Sequence, residues 1–209
     1  MATLLGVVPL GLSRPLRADA ERNRGKLIAA AHRAFASRGL EAGVDEIARE
    51  AGVGVGTLYR RFPTKEALVT AVIEERFAAM SEEFASASEL DDPWSAFETC
   101  ALALARGVAE DRGFFEVVSE SVGRLAEVRV RRDEMLAVLE PVVMRAQRAG
   151  VVRSDVSVRD IPGLCAIAAR LPRWKLEEEP LVWRRYLGVV LDGLRPEGAT
   201  PLPPAADAR

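Results

Sequence analysis

A chain of 209 residues can bury one or two cores, and 49% hydrophobic with 29% charged residues describes a soluble globular protein, not a disordered one. A single histidine, His32, and two distant cysteines, Cys100 and Cys165, leave almost no material for a zinc centre or histidine-based catalysis, so neither metal, cofactor nor enzyme activity is expected. The net charge of -2 is unevenly placed: residues 14–66 hold 11 Lys/Arg against 7 Asp/Glu, the later residues 18 against 24, and the excess of cations marks the N-terminal quarter as the part that faces a polyanion.

Residues 1–12, MATLLGVVPLGL, are too short to span a bilayer and lack the basic start and small-residue cleavage site of a signal peptide. With the next few residues they read as a disordered extension and basic arm, 1–20. Arg14, Arg17, Arg22, Arg24 and Lys26 either form a solvated charged arm or reach phosphates and a minor groove, as arms beside a recognition helix do. The first helix is expected from about Arg24 to Ser37, with Leu27, Ala30, Ala31, Ala34 and Phe35 as its buried stripe and Gly39 as its stop. His32 is an ordinary residue of that helix, and the cysteines read as buried small hydrophobes in a reducing cytoplasm.

The informative stretch is 44–66, VDEIAREAGVGVGTLYRRFPTKE. Ile47, Ala48 and Ala51 have the spacing of a buried helical face, and Gly52 suits a sharp turn that needs a left-handed residue. Leu58 and Phe62, four apart, then bury one edge of a second short helix. Its other edge carries Val55, Gly56, Thr57, Tyr59, Arg60 and Arg61 on about two turns, roughly 12 Å, which fits a major groove. Thr64 offers an N-cap, and Lys65 stands in the next first turn, where it can face a phosphate. The spacing alone is also that of an ordinary helical hairpin with a solvated polar face.

The residues Ile47-Ala48, Ala51-Gly52-Val53, Gly56-Thr57-Leu58-Tyr59, Arg61-Phe62 and Lys65-Glu66-Ala67-Leu68 closely resemble the DNA-binding domain of the TetR family of bacterial transcriptional regulators, over about residues 24–75. Two positions depart from it: Gly43 and Gly54 stand where the family often has Thr and Ser, so no side-chain oxygen is available there. The resemblance implies a repressor that binds a palindromic operator as a homodimer and leaves it when a small-molecule effector binds. A ligand-independent activator or architectural protein is the alternative, and a solidly packed sensor region would favour it. DNA contacts are expected from Arg17, Val55, Gly56, Thr57, Tyr59, Arg60, Arg61 and Lys65, with Tyr59, Arg61 and Lys65 mainly on phosphates and Val55, Gly56, Thr57 and Arg60 nearer base edges.

The helix opening at Lys65 should run to about Ser86 and connect reading head to sensor; Asp92-Pro93 caps the next. Helices then follow at about 114–122 and 126–148, the latter kinked or broken at Pro141, and after a Ser157-x-x-Asp160 capping box and Glu179-Pro180. No window alternates as a strand does, so the fold is expected to be all-α: an N-terminal three-helix DNA-binding domain with a helix-turn-helix over 21–66, a C-terminal helical ligand-binding and dimerisation domain over 67–195, and a disordered tail over 196–209. Phe97, Cys100, Phe115, Met135, Leu139 and Trp174 either fill the core or line an effector pocket, with Glu120, Arg124 or Arg173 as candidate polar partners. Ile161, Leu164 and Ala168, with Trp183, Leu187, Val190 and Leu191, form apolar stripes on the last two helices, and the resemblance makes these the dimer interface. The expected partners are therefore double-stranded DNA, a second copy of the chain and an effector, with no membrane, in the cytoplasm of a bacterium.

Overall fold

In the computed structural model the described residues are 13–171, 175 and 178–203, with side chains from residue 19 onward except Arg112. Among the described residues there are nine α-helices: α1 Ser13–Arg38, α2 Val44–Glu50, α3 Val55–Arg61, α4 Lys65–Ser88, α5 Pro93–Glu110, α6 Arg112–Arg124, α7 Ala126–Arg148, α8 Asp160–Ala169 and α9 Val182–Gly193. No strand occurs among the described residues, and no helix there is long and apolar enough to cross a membrane. Two compact units divide the chain within α4, Met1–Val72 and Ile73–Arg209.

In the first unit the stripe Leu27, Ala30, Ala31, Ala34 and Phe35 is fully buried, as its spacing predicts. Helix α1 begins eleven residues earlier than Arg24. The segment 13–23 holds three Arg, two Ala, one Glu and one Leu, all helix formers, and Pro15 falls in the first turn, where no backbone N–H is needed. Its mixed charge had made it look like an arm. Two ion pairs join α1 to α2, Arg33 to Glu50 at 2.7 Å and Arg38 to Glu46 at 2.6 Å, though exposed pairs of this kind add little stability.

In the second unit α5 is the central helix, packed against α6, α7, α8 and α9. Asp92 accepts from the Ser95 N–H at 2.8 Å and Pro93 stands in the first helical position, so α5 starts with both expected signals satisfied. Phe97, Cys100, Leu139, Ile161 and Leu187 make the core around it. Burial pushes both thiols up to about 12, which leaves them protonated and unreactive at physiological pH. Helix α7 runs unbroken through Pro141. It closes at Gly150, whose φ of 70° lets the Val151 N–H turn back to the Ala146 carbonyl at 3.0 Å.

The expected capping residues before α8 meet as Ser157 N–H and hydroxyl both donate to Asp160 Oδ2 at 2.8 Å. Helix α9 starts at Val182, two residues after Pro180. The expectation of a disordered tail needs correcting over 196–203, because the segment is tied down. Arg153 donates to the Thr200 carbonyl, the Leu202 N–H donates to Asp155 Oδ2 at 2.9 Å, and the Arg195 guanidinium lies 3.7 Å from the Trp94 ring centre. The Arg153 guanidinium holds the Asp155 carboxyl well below the usual carboxylate range, with help from the Leu202 N–H. Pro- and Ala-rich composition suggested disorder, but composition does not report hydrogen bonds made to a distant loop.

Candidate nucleic-acid interface and effector cavity

Gly52 sits at φ 69° between α2 and α3, a conformation that a Cβ penalises. Its N–H donates to the Arg49 carbonyl at 3.1 Å and the Val53 N–H to the Ala48 carbonyl at 3.0 Å, which closes α2 and turns the chain. Gly54 is the N-cap of α3 in extended geometry, φ -70° and ψ 144°, without a side-chain hydrogen bond. Leu58 and Phe62 are buried under α3. Val55, Gly56, Tyr59, Arg60 and Arg61 are exposed and Thr57 is half-buried, so the polar edge of the seven-residue helix faces outward.

A polar groove joins this edge to α1 and is lined by Asp19, Asn23, Arg24, Thr57, Arg60 and Arg61. Asn23 had no motif to single it out; only the packing of α1 brings it beside the recognition helix. Arg61 lies 3.6 Å from Glu21, while Arg60 has no carboxylate partner among the described residues. Thr64 caps α4 by accepting the Ala67 N–H at 3.1 Å. The Lys65 ammonium donates to the carbonyl of Leu40, within the 3-10 turn Gly39–Glu41. Arg17 falls within α1, and its side chain lies outside the described residues.

In the second unit, a cavity of about 230 Å³ opens among α4, α5, α6 and α7. Phe115 and Met135 line it, whereas Phe97, Cys100 and Leu139 are core residues that do not reach it, and Trp174 lies outside the described residues. Large apolar side chains at helical spacing satisfy a core and a cavity equally well, which is why the spacing alone did not separate them. Phe77, Met80 and Val118 are among its other apolar walls, and the cations that line it are Arg76 and Arg132. Arg124, considered as a polar partner, instead pairs with Glu120 at 2.7 Å, and Arg173 lies outside the described residues.

The interface expectation for the last two helices is corrected by burial. Ile161 and Ala168 on α8 and Trp183, Leu187 and Leu191 on α9 are buried in the subunit's own core and cannot meet a partner. The outward stripes are their neighbours: Ile167, 73% exposed, beside half-exposed Leu164 on α8, and Tyr186, Val189 (68% exposed) and half-exposed Val190 on α9. Both faces of each helix are apolar, and the larger side chains, Trp183 above all, took the core.

Comparison with known proteins finds a separate family match for each part of the chain. The family description "Bacterial regulatory proteins, tetR family" matches residues 27–72, and "Transcriptional regulator SbtR-like, C-terminal domain" matches 92–196. A TetR transcription regulatory protein from Mycobacterium vanbaalenii is 37% identical, with 87% of this chain and 99% of that one covered and a TM-score of 0.61. An HTH-type transcriptional regulator of Staphylococcus aureus is 42% identical over 60 residues, 28% of this chain and 32% of its own, so the match spans about a third of that relative. FadR from Bacillus subtilis, solved in complex with stearoyl-CoA, shares the fold with a TM-score of 0.63 at 21% identity, over 82% of this chain and 97% of that one.

Proposed function

The chain belongs to the TetR family of bacterial DNA-binding transcriptional regulators, and on that premise we propose that it is a cytoplasmic homodimeric repressor of a palindromic operator, released by a small-molecule effector. In this reading residues 21–66 form the reading head and 67–195 the effector-binding and dimerisation part.

The observation that carries it is the exposed apolar face of α8 and α9. Ile167 with Leu164, and Val189 with Tyr186 and Val190, recur at three- and four-residue spacing, which makes one stripe per helix. A contiguous apolar surface of this kind is unfavourable in water and is covered when a second copy presents the same face. Pairing also answers a need of recognition, because a seven-residue helix about 10 Å long reads too few base edges for genomic specificity. Two copies related by a two-fold axis read both halves of a palindrome about 34 to 36 Å apart, or a multiple of that.

The cavity supports an effector over a ligand-independent protein, since a solidly packed sensor region was the mark of the latter. FadR of Bacillus subtilis holds stearoyl-CoA on the same fold. The walls of the cavity are almost entirely apolar, so a ligand with an apolar body is proposed here. Such a ligand lowers operator affinity only by its differential affinity for the two conformations of the dimer.

Selection of bound sequences from random double-stranded DNA, with pure protein at near-physiological salt, tests the reading. A two-fold symmetric consensus is expected. Enrichment of a single unrepeated half-site would overturn the homodimer and its palindrome.

A further inference from the structure

The walls of the cavity in the second unit are almost entirely apolar, yet two guanidinium groups also line it. They are not equivalent. Arg132 is engaged, with Nε and Nη2 donating to Asp133 Oδ1 at 3.1 and 2.8 Å. Arg76 is half-buried and has neither a hydrogen-bond nor an ion-pair partner among the described residues. Its neighbour Glu74 is occupied by Arg131 at 3.2 Å. Gly107 leaves room for it: a Cβ there would stand 3.2 Å from Arg76 Nη2 and push the guanidinium aside by a few tenths of an ångström.

A guanidinium drawn partly out of water against apolar walls, with no counter-charge, is poorly satisfied, and a carboxylate that accepts two parallel N–H bonds is the group that satisfies it best. We infer that Arg76 is the anion-recognising group of this cavity and that its ligand is a monocarboxylate whose apolar body fills the remaining space between Phe77, Met80, Phe115 and Met135. The inference rests on the effector reading above and names the ligand's chemistry. Arg132, held by Asp133, borders the site without supplying its charge.

The test is calorimetric titration of the full-length protein with octanoate, 1-octanol and octylamine, probes of one length and three head groups. Octanoate is expected to bind at least about tenfold more tightly than 1-octanol, the margin of a hydrogen bond to a charged group, with octylamine weakest. In Arg76→Met the preference for octanoate over octanol should vanish while the melting temperature is kept, and Arg76→Lys should restore part of it. Gly107→Ala, by displacing the guanidinium, should weaken octanoate more than octanol. Equal binding of octanoate and octanol by the unaltered protein, or a preference that survives in Arg76→Met, overturns the inference. The operator found by sequence selection separates this from the wider reading. Arg76-dependent octanoate binding that leaves operator affinity unchanged supports the inference and sinks release by an effector at this cavity. Operator release by another compound, with no octanoate binding, does the reverse.

Discussion

Arg60 and Lys65 carry the same kind of charge in adjoining helices and are predicted to act differently. Arg60 is exposed on the outward edge of α3 without a carboxylate partner among the described residues, so its guanidinium is available to a guanine edge. Replacing it with alanine should change which bases are preferred at one position of each half-site, at about 1 to 3 kcal/mol for the preferred base, when the variant is put through the same sequence selection. Uniform weakening across all sequences would instead place Arg60 on a phosphate. Lys65 was expected on a phosphate; its ammonium gives one of its three N–H donors to the Leu40 carbonyl, which leaves two donors and the full charge for DNA. Lys65→Met should therefore destabilise the reading head by about 1 kcal/mol in urea unfolding without DNA, as loss of a partly buried hydrogen bond does. A salt dependence of DNA binding that flattens by about one unit in the same variant would place Lys65 on a phosphate as well.

At the scale of elements, the helix-turn-helix depends on one backbone conformation. Gly52→Ala places a Cβ at φ 69°, and although nothing lies within 4 Å of it, the left-handed backbone itself costs about 1 to 2 kcal/mol. The variant should show that loss in denaturant unfolding together with weaker operator binding, whereas alanine at Gly54, an N-cap in ordinary extended geometry, should leave the turn intact. Such local demands explain what was legible in advance. The glycine turn, the Asp92 cap and the bounds of α7 each follow from a few neighbouring residues, so the sequence displays them directly. What was missed depends on packing between distant segments. Asn23 joins the α3 groove only because α1 extends beneath it, Phe97 and Phe115 differ only in which neighbours they meet, and the tail is held by Arg153 and Asp155 some 47 residues away in the chain. Helix α9 is the sharpest case, because both its faces are apolar and only the fold says that Trp183 points in and Val189 out.

For the whole molecule, that distinction decides how a test of dimerisation must be designed. Trp183→Ala or Leu187→Ala would remove a buried side chain and lower stability by about 2 to 5 kcal/mol, so a monomer seen with either variant would report damage to the core and not to an interface. Ile167 and Val189 are 73% and 68% exposed, and glutamate at either position keeps its charge in water in the isolated subunit. In a two-fold pair the same glutamates would face apolar surface and each other, where an unpaired carboxylate is strongly unfavourable. Ile167→Glu with Val189→Glu should therefore keep its melting temperature at low protein concentration yet elute with the mass of one 22.7 kDa chain, where the unaltered protein is expected to show about twice that mass by light scattering. Its operator affinity should fall toward the non-specific level, since each head alone reads one half-site. A double variant that remains a dimer and binds the operator unchanged would show that the exposed face of α8 and α9 pairs with something other than a second copy of the chain.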